Sequence, residues 1–249
     1  MKTVQTWEEL TNEQLATMVV NMLHQTVIHY TLWFMEVEHQ LGMPKALEIL
    51  KKAFQDSYTI QMNRLGKTLG FKMEGLVPEP LLKMPRERIT DLLDAVAANW
   101  LANDGVWFQA VEMTSGMNDA KRCNDSCWAR FARVEAWSIK EALQLDDHPG
   151  LEGLKRALRF RMYFRINKSS FEDDSPNSFI YRMDDCRVQS ARKRRGLEDY
   201  ACKSAGLVEY PVFASTIDSR IVTECIGCPP DPHPEEWWCA WRFSLPEKA

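Results

Sequence analysis

The residues best suited to chemistry crowd into one short stretch, CIGCPPDPHPEEWWCAW, from Cys225 to Trp241. Cys225, Cys228, His233 and Cys239 follow the pattern C-x2-C-x4-H-x5-C, close to the ligand spacing of short zinc modules, because a two-residue gap lets two sulfurs turn toward one point. Pro229, Pro230, Pro232 and Pro234 stiffen the loop between them, which lowers the entropy cost of gathering ligands. Zinc (Zn2+) suits mixed sulfur and nitrogen donors, while four thiolates would also hold an iron-sulfur cluster, and the spacing leaves both open. A redox pair fits less well. A thioredoxin-type CxxC lies at a helix N-terminus, whereas this one follows a strand-like run and precedes two prolines.

Cys186 and Cys202 widen the choice, since either can be delivered from elsewhere in the fold to the same metal. A cysteine left unligated beside the metal becomes a candidate nucleophile. Cys186 is that candidate, with Arg187 and the basic run Arg192 to Arg195 expected to favour its thiolate and Arg187 and Arg192 to bind an anionic substrate. Cys123 and Cys127, four apart on a helix, are expected to be buried. Glu38 and Glu112 are the candidate acid or base, each following a Trp-Phe pair and sitting beside it on a helix. A di-iron bundle is set aside, because the E-x-x-H of Glu36 and His39 becomes Ala110 and Met113 where the sequence repeats.

That repeat fixes the elements around these residues. WFMEVEHQLGMPKA, from Trp33, and WFQAVEMTSGMNDA, from Trp107, share WF-x-x-VE-x-x-x-GM-x-x-A. Each copy closes one helix at glycine and opens the next almost at once, which makes the unit a helical hairpin. Thr11 with Gln14 reads as a capping box opening a helix to about Leu41, and Pro44 to about Leu69 is its partner. The second pair is expected over about Arg86–Ser115 and Asn118–Leu145. After Gly150 the texture changes: FRMYFRINKSS and NSFIYRMDD read as a β-hairpin, SRIVTECIG and WWCAWRFSL as two further strands, with helices between. The expected fold class is α+β, a duplicated helical-hairpin domain over 1–150 followed by a cysteine-rich domain with a small antiparallel sheet over 151–249.

Composition sets the outer bounds. In 249 residues, 45% hydrophobic and 27% charged content is a globular balance, and a net charge of -4 argues against a general nucleic-acid binder. The start, MKTVQTWEELTNEQLA, has no signal-peptide core, and no apolar run approaches the roughly 20 residues that span a bilayer, so a cytoplasmic protein with neither membrane nor nucleic-acid partners is expected. Reducing conditions there would leave the seven cysteines to metal, reactivity or burial. The expected partners are a small, anionic molecule and, as an open arrangement, a second copy of the chain.

YRMDDCRVQSARKRRGL, CKSAGLVEY, IDSRI, CIGCPPD and WCAWRF carry a resemblance to bacterial proteins of the L-2-amino-thiazoline-4-carboxylic acid hydrolase-like family over about residues 160 to 245. More remotely, the cysteine pattern resembles the zinc-binding 4-vinyl-reductase-type domain of bacterial ligand sensors. The second resemblance implies a metal on Cys202, Cys225, Cys228 and Cys239, with Cys225 where those sensors often carry glutamate. The first implies hydrolysis of a C–N bond in a small heterocyclic or sulfur-containing acid. A non-catalytic sensor with the same structural metal and an iron-sulfur electron carrier are the competing readings.

Overall fold

The computed structural model describes residues 6–246 apart from 197. Its first helix, α1 (Asn12–Leu41), starts at the expected capping box: the Gln14 N–H donates to Thr11 Oγ1 at 3.2 Å and the Thr11 N–H to Gln14 Oε1 at 2.9 Å. It stops at Gly42, and α2 (Met43–Leu69) begins at the next residue. Gly116 does the same between α4 (Arg86–Ser115) and α5 (Met117–Ala142). The two glycines share one conformation, φ 80° and ψ 159° against φ 86° and ψ 168°. A Cβ at Gly116 would meet nothing within 4 Å, so the positive φ, not space, calls for glycine there. The repeated positions share their environment too: Ala46 and Ala120 are buried, whereas Trp33 and Trp107 are 62% and 66% exposed.

The chain separates into two compact units, Met1–Lys83 and Met84–Ala249. The first holds α1, α2, a two-residue β-hairpin (β1, Met73–Glu74, with β2, Val77–Pro78) and one short helical turn, α3 (Glu79–Leu82). α1 buries none of its residues and leaves Val20, Val27 and Leu32 largely exposed. The break near residue 83 differs from the expected boundary at 150, and the reason is packing. The second hairpin joins the sheet-bearing half: Ala132 and Ala136 of α5 belong to the same core as Leu154 and Leu158 of α6 (Gly150–Arg159) and Phe213 and Ala214 of α9 (Lys203–Ile217). Alanines four residues apart form a flat stripe that lets helices approach closely.

The second unit is α+β. After α6 and α7 (Met162–Ile166) comes a four-stranded antiparallel sheet of β3 (Lys168–Ser175), β4 (Ser178–Asp185), β5 (Val222–Gly227) and β6 (Cys239–Ser244), in the order β3-β4-β6-β5. The helix α8 (Arg187–Arg194) and α9 fall between β4 and β5, and α9 runs uninterrupted through Pro211. Alternation along β4 and β6 sends Phe179, Tyr181, Met183, Trp241 and Phe243 into the core, in the pairs Phe179↔Phe243, Tyr181↔Trp241 and Met183↔Cys239. Among the described residues no helix is long and apolar enough to cross a membrane.

Gly206 shows how tightly α9 lies on the sheet. A Cβ there would come within 2.5 Å of Trp241 Cζ2 and 2.9 Å of Cη2, and Trp241 is itself fully buried. Gly206→Ala should therefore cost roughly 1–3 kcal/mol by overpacking. A thermal melt of the variant checks this, and an unchanged melting temperature would show that the helix can lift without loss.

Candidate functional site

Cys202, Cys228 and Cys239 line one cavity, whereas Cys225 is not among its lining residues. Cys239 opens β6 and Cys225 lies on β5 opposite Trp241, where a bulge between Cys225 and Gly227 breaks the register and turns the chain toward Cys228. Cys202 caps the N-terminus of α9, which is tied to the CxxC loop by the Lys203 N–H donating to the Pro229 carbonyl at 2.9 Å and by the Lys203–Asp231 ion pair at 2.5 Å. The outcome is a Cys202 Sγ to Cys228 Sγ separation of 3.5 Å, with Cys239 lining the same cavity. Gln189 Nε2 lies 3.6 Å from the Cys202 sulfur as a donor. The pairing with Cys228 pulls the Cys202 thiol down and pushes Cys228 up, the pattern of a thiol donating to a thiolate. Burial raises Cys225 against the opposing charge of Lys203. Among the described residues, no group of three or more His, Cys, Asp or Glu side chains stands ready as a metal site. His233 is turned elsewhere, with Nδ1 2.9 Å from the Pro234 carbonyl, Nε2 3.5 Å from Asp199, and its ring against Trp237 and Trp238.

Beside the cysteines the second unit holds a cavity of about 350 Å3. Of the residues singled out in the sequence, Cys186, Cys202, Cys228, Cys239, Glu112 and Arg192 line it. Arg187 does not: its side chain is exposed and its backbone N–H donates to Asn167 Oδ1 at 2.9 Å. Glu38 belongs to the first unit and is not among the residues lining that unit's own cavity of about 310 Å3. Cys123 and Cys127, expected to be buried, are exposed on α5.

Cys186 lines the cavity without the activation expected of it. Burial pushes its thiol up to about 12, against small opposing contributions from the backbone N–H groups of Gln189 and Val188, and the basic run does not offset this. A thiol raised in this way stays protonated across the neutral range. Alkylation of Cys186 by iodoacetamide should therefore keep accelerating from pH 7 to pH 10, with exposed Cys123 labelled first. Peptide mapping by mass spectrometry reads this, and a plateau near pH 8 for Cys186 would contradict it.

A buried cluster of charged groups was not legible as a site in the sequence. Arg161 is 1% exposed and donates through Nε (2.9 Å) and Nη2 (2.8 Å) to Glu135 Oε2 and through Nη2 (2.6 Å) to Glu209 Oε1. Its guanidinium also lies 4.7 Å from the Phe213 ring centroid and 5.3 Å from that of Tyr163. Two carboxylates against one guanidinium leave an excess negative charge in a dry place, and Glu135 Oε1 has no hydrogen-bond partner. Burial raises the Glu209 carboxyl although Arg161 opposes it. Glu209 lines the cavity, as does Asp104, whose carboxyl burial likewise raises. Asp104 is reached by a polar chain: Lys121 Nζ to the Tyr200 hydroxyl at 3.2 Å, that hydroxyl to Asn124 Oδ1 at 3.2 Å, and Asn124 Nδ2 to Asp104 Oδ1 at 3.5 Å. The available signal was a charge set among apolar residues, Glu209 in GLVEYPVF and Arg161 in FRMYF.

Fold and cavity together define an α+β protein whose sheet-bearing unit holds a pocket lined by thiols, carboxylates and aromatic rings. The chain belongs to the family of unknown function DUF6125, whose sequence profile matches residues 8–84 and again 82–245. The junction of the two matches falls at the break between the two units. No curated protein and no solved structure matches the chain.

Proposed function

We propose that the second unit is a small-molecule-binding domain built on a structural zinc-thiolate centre. The observation that carries this reading is the placement of Cys202, Cys228 and Cys239 in the wall of one cavity, with two of the sulfurs 3.5 Å apart. A tetrahedral zinc with Zn–S bonds of about 2.3 Å holds its sulfurs roughly 3.8 Å apart, close to the Cys202–Cys228 separation of 3.5 Å. Cys202, Cys225, Cys228 and Cys239 would hold it. Four sulfur ligands fill a tetrahedral sphere, and the metal would then supply folding energy and a rigid wall. Gln189 supports the arrangement from outside by donating to Cys202.

Binding without turnover is favoured over hydrolysis of a C–N bond. A hydrolase built on Cys186 needs a thiolate, and burial holds that thiol protonated. The test is elemental analysis and an absorption spectrum of the purified chain, followed by incubation with bound ligand. About one zinc per chain and a colourless spectrum agree with the proposal. A brown protein with visible absorption replaces zinc by an iron-sulfur cluster, absence of any metal removes the centre, and conversion of a bound ligand restores the hydrolase reading.

A further inference from the structure

The composition of the cavity wall names a class of ligand. Five aromatic side chains line it, Phe108, Trp128, Tyr163, Tyr200 and Tyr210. Three carboxylates, Asp104, Glu112 and Glu209, line it as well. Aromatic rings with nearby carboxylates favour organic ammonium ions, because the ring quadrupole and the acid both attract positive charge while the ring bodies bind the hydrocarbon.

The charge balance points the same way. Glu209 is 6% exposed, and Arg161 engages its Oε1 alone while giving two of its own bonds to Glu135. The opposing cations of the wall are Arg192, whose Nε donates to the Glu198 carbonyl at 2.7 Å, and Arg195, which is exposed. A buried charge acts through a low dielectric and an exposed one is screened by water, so Glu209 outweighs Arg195 at the ligand.

We propose that this cavity selects a small organic ammonium ion, one positive charge on an aromatic or apolar body, with Glu209 and Asp104 receiving the ammonium group. The inference rests on the reading of the second unit as a small-molecule-binding domain and replaces the anionic ligand expected from the arginines. Binding a cation there adds a second positive partner to Glu135 and Glu209, which share the single Arg161 guanidinium. Burial raises the carboxyls of Glu209 and Asp104 despite the opposing charges of Arg161 and Lys121, so a further cation at either would relieve a desolvated acid.

Three size-matched probes test it by isothermal titration on the full chain: 2-phenylethylammonium, 2-phenylethanol and phenylacetate. The ammonium should bind at least about tenfold more tightly than the other two, a difference that one well-placed, desolvated charge supplies. Glu209→Gln and Asp104→Asn should each remove most of that preference for the ammonium probe. Asp104 is only half-buried, so its variant keeps the test open if Glu209→Gln unfolds the domain. Equal or tighter binding of phenylacetate or 2-phenylethanol overturns the cation assignment alone. Failure of all three probes to bind overturns the binding-domain reading, and the assignment with it.

Discussion

Replacing Arg161 by methionine is expected to destabilise the second unit by roughly 3–5 kcal/mol, the usual cost of leaving buried charges without their partner. At roughly 2–4 °C per kcal/mol for a domain of this size, the melting temperature should drop by about 10 °C. Two carboxylates are stranded by the change, since Glu135 takes two bonds and Glu209 one from the same guanidinium. The loss should depend on pH, with a sign set by Glu209. Its carboxyl is raised by burial and held down by Arg161, so removing Arg161 raises it further. A carboxyl whose folded pKa exceeds its unfolded value binds protons preferentially in the folded state, and stability then falls as pH rises through the folded value. The deficit should accordingly be larger at pH 8 than at pH 5. Calorimetric melts of wild type and variant at both values decide it, and equal deficits would show that Glu209 is already neutral in the native protein. A triple variant that also carries Glu135→Leu and Glu209→Gln should recover most of the loss, because replacing the whole network with uncharged side chains strands no charge.

The second large effect concerns the proposed metal. Cys228→Ala should reduce bound zinc from about one per chain to near zero and lower the melting temperature of the second unit by more than Gly206→Ala does, since structural zinc contributes folding free energy directly. Cys228 is the discriminating choice because it lies 3.5 Å from Cys202, shares the cavity wall with Cys239 and is almost fully buried. Cys186→Ala and Cys225→Ala identify the fourth ligand. Zinc retained in Cys186→Ala and lost in Cys225→Ala assigns it to Cys225, and the reverse assigns it to Cys186. Wild-type protein that is free of zinc and insensitive to chelator would end the metal proposal.

The exposed apolar side chains of α1 bear on these melts. Val20, Val27, Leu32 and Trp33 are each more than half exposed. Exposed apolar area of this kind favours association, so the melts are best compared at fixed protein concentration.

Local features were legible in the residues themselves because their causes are local. Thr11 and Gln14 build a capping box from a three-residue spacing, and Gly42 and Gly116 end helices because their backbone angles disfavour a side chain. β4 and the two cysteine-bearing strands follow from aromatic and β-branched residues bounded by turn formers, whereas the strand expected over FRMYFRINKSS forms α7 instead, and β3 starts only at its end and runs on through FEDDS, which reads as a turn. The cysteine cluster was legible in part. Cys225, Cys228 and Cys239 are close in sequence, but His233 satisfied the same spacing rule and is committed to Asp199 and the flanking tryptophans. Only the docking of α9 against the CxxC loop brings Cys202 to Cys228 across 26 residues.

The sequence by itself determined the helical hairpins, the two cysteine-bearing strands and the pool of possible sulfur ligands, since propensity, capping and periodicity act over a few residues. The tertiary structure alone decided that the second hairpin packs with the sheet, that Glu135, Arg161 and Glu209 meet, and that Cys186 lies in a place dry enough to keep its proton. Burial and charge pairing depend on which surfaces meet, and those surfaces come from segments tens of residues apart.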